Sequence, residues 1–261
     1  MIKLVEIKAK KNNHYQLTFN IEQKEETHLV SENVMFKCNL FKTRELEKKE
    51  YKDIIHNILY DNLYMKAIHF ISHQMRTISE VKKKLKKDTT DSALIDSVIT
   101  ELKNKRYISD DQYVKEYITQ KIEFDLVGPR YIKEKLIGKG IHFDLIDKYL
   151  IQYEEKHQYD KVCKIIENET KYPIKKPYTK VYLSLKTKLI NKGFAANIVE
   201  SSLQSMKDQI KQAVNDDDLL LSEFKKLQKR YDVSDWNDKD KVVKSLMSKG
   251  FDYQRIKRLF D

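Results

Sequence analysis

The apolar residues of this chain follow one frame that occurs four times. Each copy has a leucine, then a glycine or small polar residue four positions later, and apolar residues ten and fourteen positions later. The four leucines are Leu85, Leu136, Leu189 and Leu246, and successive ones lie 51, 53 and 57 residues apart. A period of this length is typical of stacked supersecondary units, so the frame predicts tandem repeats.

Apolar residues at helical spacing predict three short helices in each repeat. Gly140, Gly193 and Gly250 fit a left-handed residue just past the end of the first helix, whereas the first repeat has Thr89 there. The expected helices lie at about 78–87, 91–104, 110–122, 129–138, 143–153, 156–171, 177–191, 195–206, 208–230 with a bend near 215–218, 238–248 and 252–260.

The first forty residues have a different pattern. Apolar and polar residues alternate over 3–9 and over 15–21, and the turn-forming segment 11–14 joins them, which predicts a β-hairpin. Residues 34–40 are a candidate third strand. Thr43 is expected to cap a helix that carries apolar residues up to Ile58, followed by a second helical segment at 63–71. A lone hairpin is marginal in water, so we expect this sheet to pack on a helix.

These patterns predict a mainly α fold: an elongated array of tandem three-helix, helix-turn-helix-like repeats, with an N-terminal β-hairpin or small sheet packed on a helix. The five glycines and three prolines among 261 residues agree with a helical chain. We divide the chain into 1–72 (the hairpin and helix domain), 73–125, 126–173 and 174–232 (three complete repeats), and 233–261 (a truncated repeat).

The charge of the chain is high and uneven. Charged residues make up 35% of the chain and its net charge is +11, which favours an acidic partner. Residues 173–214 hold 8 lysines against 2 acidic residues. Cys38 and Cys163 lie far apart and are expected to be reduced thiols of a cytoplasmic protein. Neither a targeting segment nor an apolar run long enough for a bilayer is evident, so we expect no contact with membranes.

Two lysine clusters are the candidate binding residues, because lysines contact phosphates without reading base sequence. The alternative for both clusters is an ordinary solvated helix face. The larger cluster, interleaved with Tyr178 and Tyr182, consists of Lys175, Lys176, Lys180, Lys186, Lys188 and Lys192. The smaller one consists of Lys83, Lys84 and Lys87.

Signals for chemistry are weak elsewhere. The segment 138–140 has the sequence Gly-Lys-Gly but lacks the spacing of a phosphate-binding loop. His69 and His73 would share a helix face as a metal pair, but no third ligand is evident, so a structural role is favoured. Asp110 and Asp111 are expected to act at a helix N-terminus, where the helix dipole favours negative charge. We predict no catalytic residue, no metal site and no cofactor.

Several segments in order resemble the RecX regulatory proteins. They are 76–81 with Lys84 and Leu85, then Leu102, 107–113, 128–130, Leu136 and 139–141. The resemblance covers about residues 64–261, and the N-terminal extension is similar to the longer form of that family. Val114, where the family usually has alanine, and Thr89, in place of glycine, depart from the family pattern and concern packing and turn geometry.

This resemblance implies a non-enzymatic modulator of the RecA recombinase. Such proteins bind the RecA–DNA nucleoprotein filament along its groove and regulate homologous recombination, strand exchange and the SOS coprotease activity. They also bind single- and double-stranded DNA, mostly without sequence specificity through phosphates, and we expect a cytoplasmic monomer. The alternative is a DNA-binding architectural or transcription-regulating protein built of helix-turn-helix-like repeats. Ser201, Ser202, Gln204 and Ser205 are polar but no arginine accompanies them, which disfavours sequence-specific reading.

Overall fold

The chain begins with a four-stranded antiparallel sheet. The computed structural model describes residues 2–260, and the strands are β1 (Ile2–Ala9), β2 (His14–Ile21), β3 (Lys24–Ser31) and β4 (Arg44–Leu46). Their order across the sheet is β3-β2-β1-β4. The hairpin predicted from the alternating residues is confirmed as β1 and β2, with Asn12 and Asn13 in the left-handed region at φ 60° and 55°.

The prediction of a third strand at 34–40 is wrong. Residues Glu32–Lys37 form helix α1, and the third strand lies earlier, at β3. The side chain of Ser31 accepts a hydrogen bond from the amide of Val34 and so caps α1. Val34 and Met35 are both buried although they are adjacent, which alternation along a half-exposed strand would prevent.

The helix expected at Thr43 begins later and is longer than predicted. Residues 44–46 pair with β1 as β4, and helix α2 (Lys48–Ser72) then runs for 25 residues without the predicted interruption. The first half of α2 buries Ile54 and Ile58 in the sheet's core. Its second half buries Leu63 and Ala67 in the core of the first three-helix group, so one helix serves two cores.

Twelve helices follow within the described residues, and their bounds agree with the predicted ones to within a few residues. They are α3 (Ile78–Leu85), α4 (Ser92–Asn104), α5 (Asp110–Phe124), α6 (Pro129–Gly138), α7 (Phe143–Leu150), α8 (Glu155–Thr170), α9 (Tyr178–Asn191), α10 (Ala196–Ser205), α11 (Lys207–Val214), α12 (Asp216–Gln228), α13 (Trp236–Lys249) and α14 (Tyr253–Lys257). The expected bend near 215–218 is a break at Asn215, whose φ is 43°. The protein is therefore mainly helical with a small N-terminal antiparallel sheet, as predicted.

The chain divides into two compact units. The first holds the residues up to Tyr113 together with Lys139–Ile141, and the second holds Val114–Gly138 and the residues from His142 onward. In the second unit the largest core buries one face of α9 against α8, α10 and α11, through residues such as Val162, Leu185 and Val199. Among residues 2–260, no helix is both long and apolar enough to cross a bilayer.

The predicted glycine joints are confirmed, since Gly140, Gly193 and Gly250 have φ values of 81°, 88° and 99°. At each joint, the backbone oxygen of the glycine or of the residue before it accepts a hydrogen bond. The donor lies in the first turn of an earlier helix or just before that helix. The donors and acceptors are Thr77 Oγ1 to Lys139 O at 2.9 Å, Gly128 N to Lys192 O at 2.8 Å, Arg130 N to Gly193 O at 3.1 Å, and Thr179 Oγ1 to Gly250 O. The recurring glycine is thus a structural joint between helices distant in sequence.

Two aspartates at the starts of α5 and α12 cap the helices α3 and α9, respectively. Asp110 Oδ1 accepts from the amide of Ile78 at 2.9 Å, and Asp216 Oδ1 accepts from the amide of Tyr178 at 3.2 Å. Asp110 lies in the first turn of its own helix α5, as predicted, and its side chain also caps α3. Burial raises the pKa of Asp110, against the hydrogen bond from Ile78 that lowers it.

Glu80 connects the cap of α3 to the joint at Lys139. Thr77 and Glu80 form the capping box, and Lys139 Nζ lies 2.8 Å from Glu80 Oε1. Burial opposes ionisation of Glu80, but the hydrogen bonds from Lys139 and Thr77 outweigh it and hold the pKa of Glu80 below its usual 4.5. The carboxylate therefore contributes stability that is present above pH 4.5 and is lost as the pH falls through the lowered pKa.

We expect the substitution Glu80→Gln to destabilise the first unit at about pH 7 and to have a smaller effect at about pH 3, because the stability from the carboxylate is lost as the pH falls through the lowered pKa of Glu80. The measurement is urea unfolding of both proteins at the two pH values. A stability difference of the same size at both pH values would show that the charge of Glu80 contributes nothing.

Candidate partner interface

Helix α9 carries most of the larger lysine cluster. Its apolar residues Val181, Leu185 and Leu189 recur every four positions and are buried, so the remaining faces are turned to solvent. Proline 177 precedes the helix as its N-cap and stops the preceding segment from continuing into it. The predicted site therefore lies on a rigid element anchored by the largest core of the second unit.

Three of the six predicted lysines form ion pairs or hydrogen bonds within the protein. Lys186 pairs with Glu200 at 2.6 Å, and Lys188 pairs with Glu169 at 2.5 Å. Lys192 Nζ donates to the backbone oxygen of Leu126 at 3.2 Å. These three lysines are held by neighbours on other helices or loops, which reduces their availability to a partner.

The other three, Lys175, Lys176 and Lys180, are exposed and have no ion-pair partner in the part of the chain that the structure describes. They precede or begin α9. The predicted cluster is thus split into an engaged half toward the end of the helix and an available half at its start.

Three depressions along the exposed side of α9 have lining residues in common. The first, of about 630 Å³, shares Leu183 with the second, of about 380 Å³. The second shares Tyr178, Thr179 and Lys207 with the third, of about 850 Å³. We call these three depressions together the α9 groove, and the third is also lined by residues of α11, α12 and α14.

The sequence did not indicate the residues that make this groove both apolar and positively charged. Leu183 is 60% exposed at the point shared by two cavities, and Lys207, Lys211 and Arg258 line the third. None of these three cations has an ion-pair partner among residues 2–260. The acid-poor stretch 173–214 already contained Lys207 and Lys211, but no sequence pattern brings Arg258 to them.

The groove also contains carboxylates. Arg255 pairs with Asp216 at 2.5 Å and also with Asp217, and Asp252 caps α14 by accepting from the amide of Arg255. The third cavity is therefore lined both by available cations and by acidic side chains, and Arg255 partly neutralises two of these acidic side chains.

Tyr182 lines the groove and shares a carboxylate with Lys186. Its hydroxyl donates to Glu200 at 2.5 Å, and this hydrogen bond, together with burial, raises the pKa of Tyr182 to about 12. The hydrogen bonds from Lys186 and Tyr182 lower the pKa of Glu200. At neutral pH the hydroxyl remains protonated and Glu200 ionised, so this wall of the groove has a fixed arrangement.

The smaller cluster does not form one face. Lys83 lines a cavity of about 350 Å³ beside Lys82 and Lys86, whereas Lys84 Nζ lies 5.6 Å from the centre of the Phe70 ring. Lys87 is exposed and has no ion-pair partner within the described residues. Lys82, which lies in the same run of lysines, pairs with Asp96 at 2.7 Å.

The other candidate sites have structural contacts. The rings of His69 and His73 lie 4.7 Å apart, and Nδ1 of His73 lies 2.8 Å from the backbone oxygen of His69. Lys139 of the Gly-Lys-Gly segment pairs with Glu80. Over residues 2–260, no three histidine, cysteine or acidic side chains come together as a metal site would require.

Comparisons with known proteins agree with this fold. A family model described as "RecX, first three-helix domain" matches residues 64–102. The "Regulatory protein RecX" of Bacillus cytotoxicus is 27% identical over 98% of this chain and 95% of its own length. That of Bacillus mycoides is 26% identical with the same coverage.

Solved structures are similar as well. A crystal structure of regulatory protein RecX is 26% identical and has a TM-score of 0.58, covering 80% of this chain and 100% of its own. A crystal structure of RecX from Lactobacillus salivarius is 26% identical with a TM-score of 0.51, covering 57% of this chain and 97% of its own. Sequence and structural similarity thus confirm the resemblance found in the motifs: the chain is similar to RecX regulatory proteins over 98% of its length.

Proposed function

We propose that this protein regulates the RecA recombinase by binding the RecA–DNA filament. The observation that carries the proposal is similarity to proteins named as regulatory RecX over 98% of the chain. In this proposal the protein acts by binding, without catalysis, and changes filament assembly, strand exchange and coprotease activity. It works as a monomer in the cytoplasm.

We place the main contact in the α9 groove and at the lysines near it. Lys175, Lys176 and Lys180 have no ion-pair partner in the described chain, so binding an acidic surface breaks no existing pair. Lys186, Lys188 and Lys192 would first have to leave their present partners. Lys83, Lys84 and Lys87, on the first unit, are separate secondary contacts in this proposal, because they do not form one face.

Contact with DNA phosphates, in single or double strands, accompanies this binding in our proposal. Lysines suit it because they approach phosphates as point charges and do not read base edges. Binding of DNA should therefore be insensitive to sequence and should weaken as the salt concentration rises.

A pull-down from a bacterial lysate, with and without nuclease, tests the proposal. We expect the tagged protein to recover RecA in both samples, because the filament's protein surface forms part of the contact. Recovery of RecA only in the sample without nuclease would contradict the proposal and favour a DNA-binding architectural protein. A tagged variant with Lys176, Lys180, Lys207 and Lys211 replaced by glutamate serves as the control for non-specific recovery.

A further inference from the structure

We propose that the α9 groove binds a protein segment in which an apolar side chain lies next to several carboxylates. This inference rests on the proposed function and specifies the chemistry of its contact. It follows from three features of the groove: an exposed leucine at its centre, unpaired cations at one end, and acidic residues on the wall beside those cations.

The centre of the groove offers an apolar contact. Leu183 is 60% exposed although its neighbours along α9, such as Leu185, are buried. It borders two cavities at once, and the partly buried ring of Tyr182 lines one of them. An exposed leucine in a depression, rather than on a convex surface, can be covered on several sides by one apolar side chain of a partner.

The adjoining end of the groove offers positive charge. Lys207 borders both the second and the third cavity, so the apolar centre and the basic end are contiguous. Lys211 and Arg258 line the third cavity with it, and none of the three has an ion-pair partner in the described chain. A partner's carboxylates would therefore meet available cations, which gives charge complementarity without breaking existing pairs.

The acidic wall favours a protein segment over a nucleic acid. Asp216, Asp217 and Asp252 line the same cavity, and the side chain of Asp217 is 78% exposed. A nucleic-acid strand carries a phosphate at every nucleotide and would bring negative charge against this wall, whereas a protein segment can vary its charges from residue to residue.

The test measures binding of a fluorescein-labelled peptide that has one leucine followed by four aspartates, by fluorescence anisotropy. A second peptide with serine in place of the leucine and a labelled oligothymidylate are the comparison probes. The variants are Leu183→Ser and Lys211→Gln. Their matched controls are Leu221→Ser, an exposed leucine outside the groove, and Lys225→Gln, an exposed lysine outside it.

We expect the leucine peptide to bind the wild-type protein at least fivefold more tightly than the serine peptide. Leu183→Ser should weaken binding of the leucine peptide at least fivefold, and Lys211→Gln should weaken it about twofold, the loss expected for one exposed ion pair. The control variants should leave it unchanged. Leu183→Ser should not change oligothymidylate binding. Equal affinity for the two peptides, or a loss of oligothymidylate binding in Leu183→Ser as large as the loss of peptide binding, would overturn the inference.

The outcome can be separated from that of the proposed function by adding RecA filaments to the wild-type protein. If the filaments bind and the leucine peptide shows no preference, the inference fails and the proposed function stands. If the leucine peptide binds as expected and the filaments do not, the proposed function fails and the groove still recognises the stated chemistry.

Discussion

Gly193→Ala is expected to lower the free energy of unfolding of the second unit by about 3 kcal/mol. The residue has a φ of 88°, where an L-residue other than glycine costs about 1–2 kcal/mol. A Cβ atom there would also overlap the backbone of Tyr131, which forces α6 away from the joint. That movement weakens the hydrogen bonds from Gly128 and Arg130 to the joint, each worth about 1 kcal/mol. Urea unfolding followed by circular dichroism measures the loss.

Gly138→Ala is the matched control for this prediction. Gly138 is the last residue of α6, and a Cβ atom there has no neighbour within 4 Å. Alanine is favoured over glycine in a helix by up to about 1 kcal/mol, so we expect an unchanged or slightly higher stability. Equal destabilisation by both substitutions would mean that the positive φ and the close packing at Gly193 do not cause the loss of stability.

Reversing four unpaired lysines together is expected to weaken binding to the RecA–DNA filament about 30-fold under the proposed function. The variant replaces Lys176, Lys180, Lys207 and Lys211 with glutamate. An exposed ion pair contributes about 0.5 kcal/mol, so four lost contacts correspond to about 2 kcal/mol, or roughly 30-fold in Kd. Co-sedimentation with filaments measures the change, and DNA binding is measured separately.

A second fourfold variant controls for net charge. Lys156, Lys164, Lys225 and Lys229 are exposed lysines of the same unit that lie outside the α9 groove, and in the described chain they form no ion pair. Replacing them with glutamate changes the net charge equally. An equal loss of filament binding in both variants would mean that binding depends on overall charge and not on the groove.

The helical part of the fold could be predicted from sequence because its signals are local. Apolar residues at helical spacing marked each helix, and the capping box at Thr77 marked the start of α3. Gly140, Gly193 and Gly250 were recognisable because a left-handed residue past a helix end favours glycine.

The N-terminal sheet was predicted only in part because its turn lacks the usual residues. Glu22 and Gln23 both have positive φ and join β2 to β3 directly, although asparagine and glycine are the residues that usually mark such a turn. Because this turn has no sequence signal, the third strand was predicted too far along the chain, on residues that form α1.

For the candidate interface, the sequence indicated the lysines but not the contacts that they make. The lysine excess pointed to α9, yet Glu169 and Glu200, which engage Lys188 and Lys186, lie on α8 and α10. Arg258 lines the groove from a helix that is distant in sequence. Such contacts depend on how helices pack, and periodicity along one helix contains no information about a neighbour.

The most direct measurement for the proposed role is the rate of ATP hydrolysis by RecA filaments on single-stranded DNA as the wild-type protein is titrated in. We predict that the rate changes at or below an equimolar ratio to RecA, and that the variant with Lys176, Lys180, Lys207 and Lys211 replaced by glutamate requires a much higher concentration for the same change. An unchanged rate and unchanged filaments at an equimolar ratio of wild-type protein would contradict the proposed regulation of RecA.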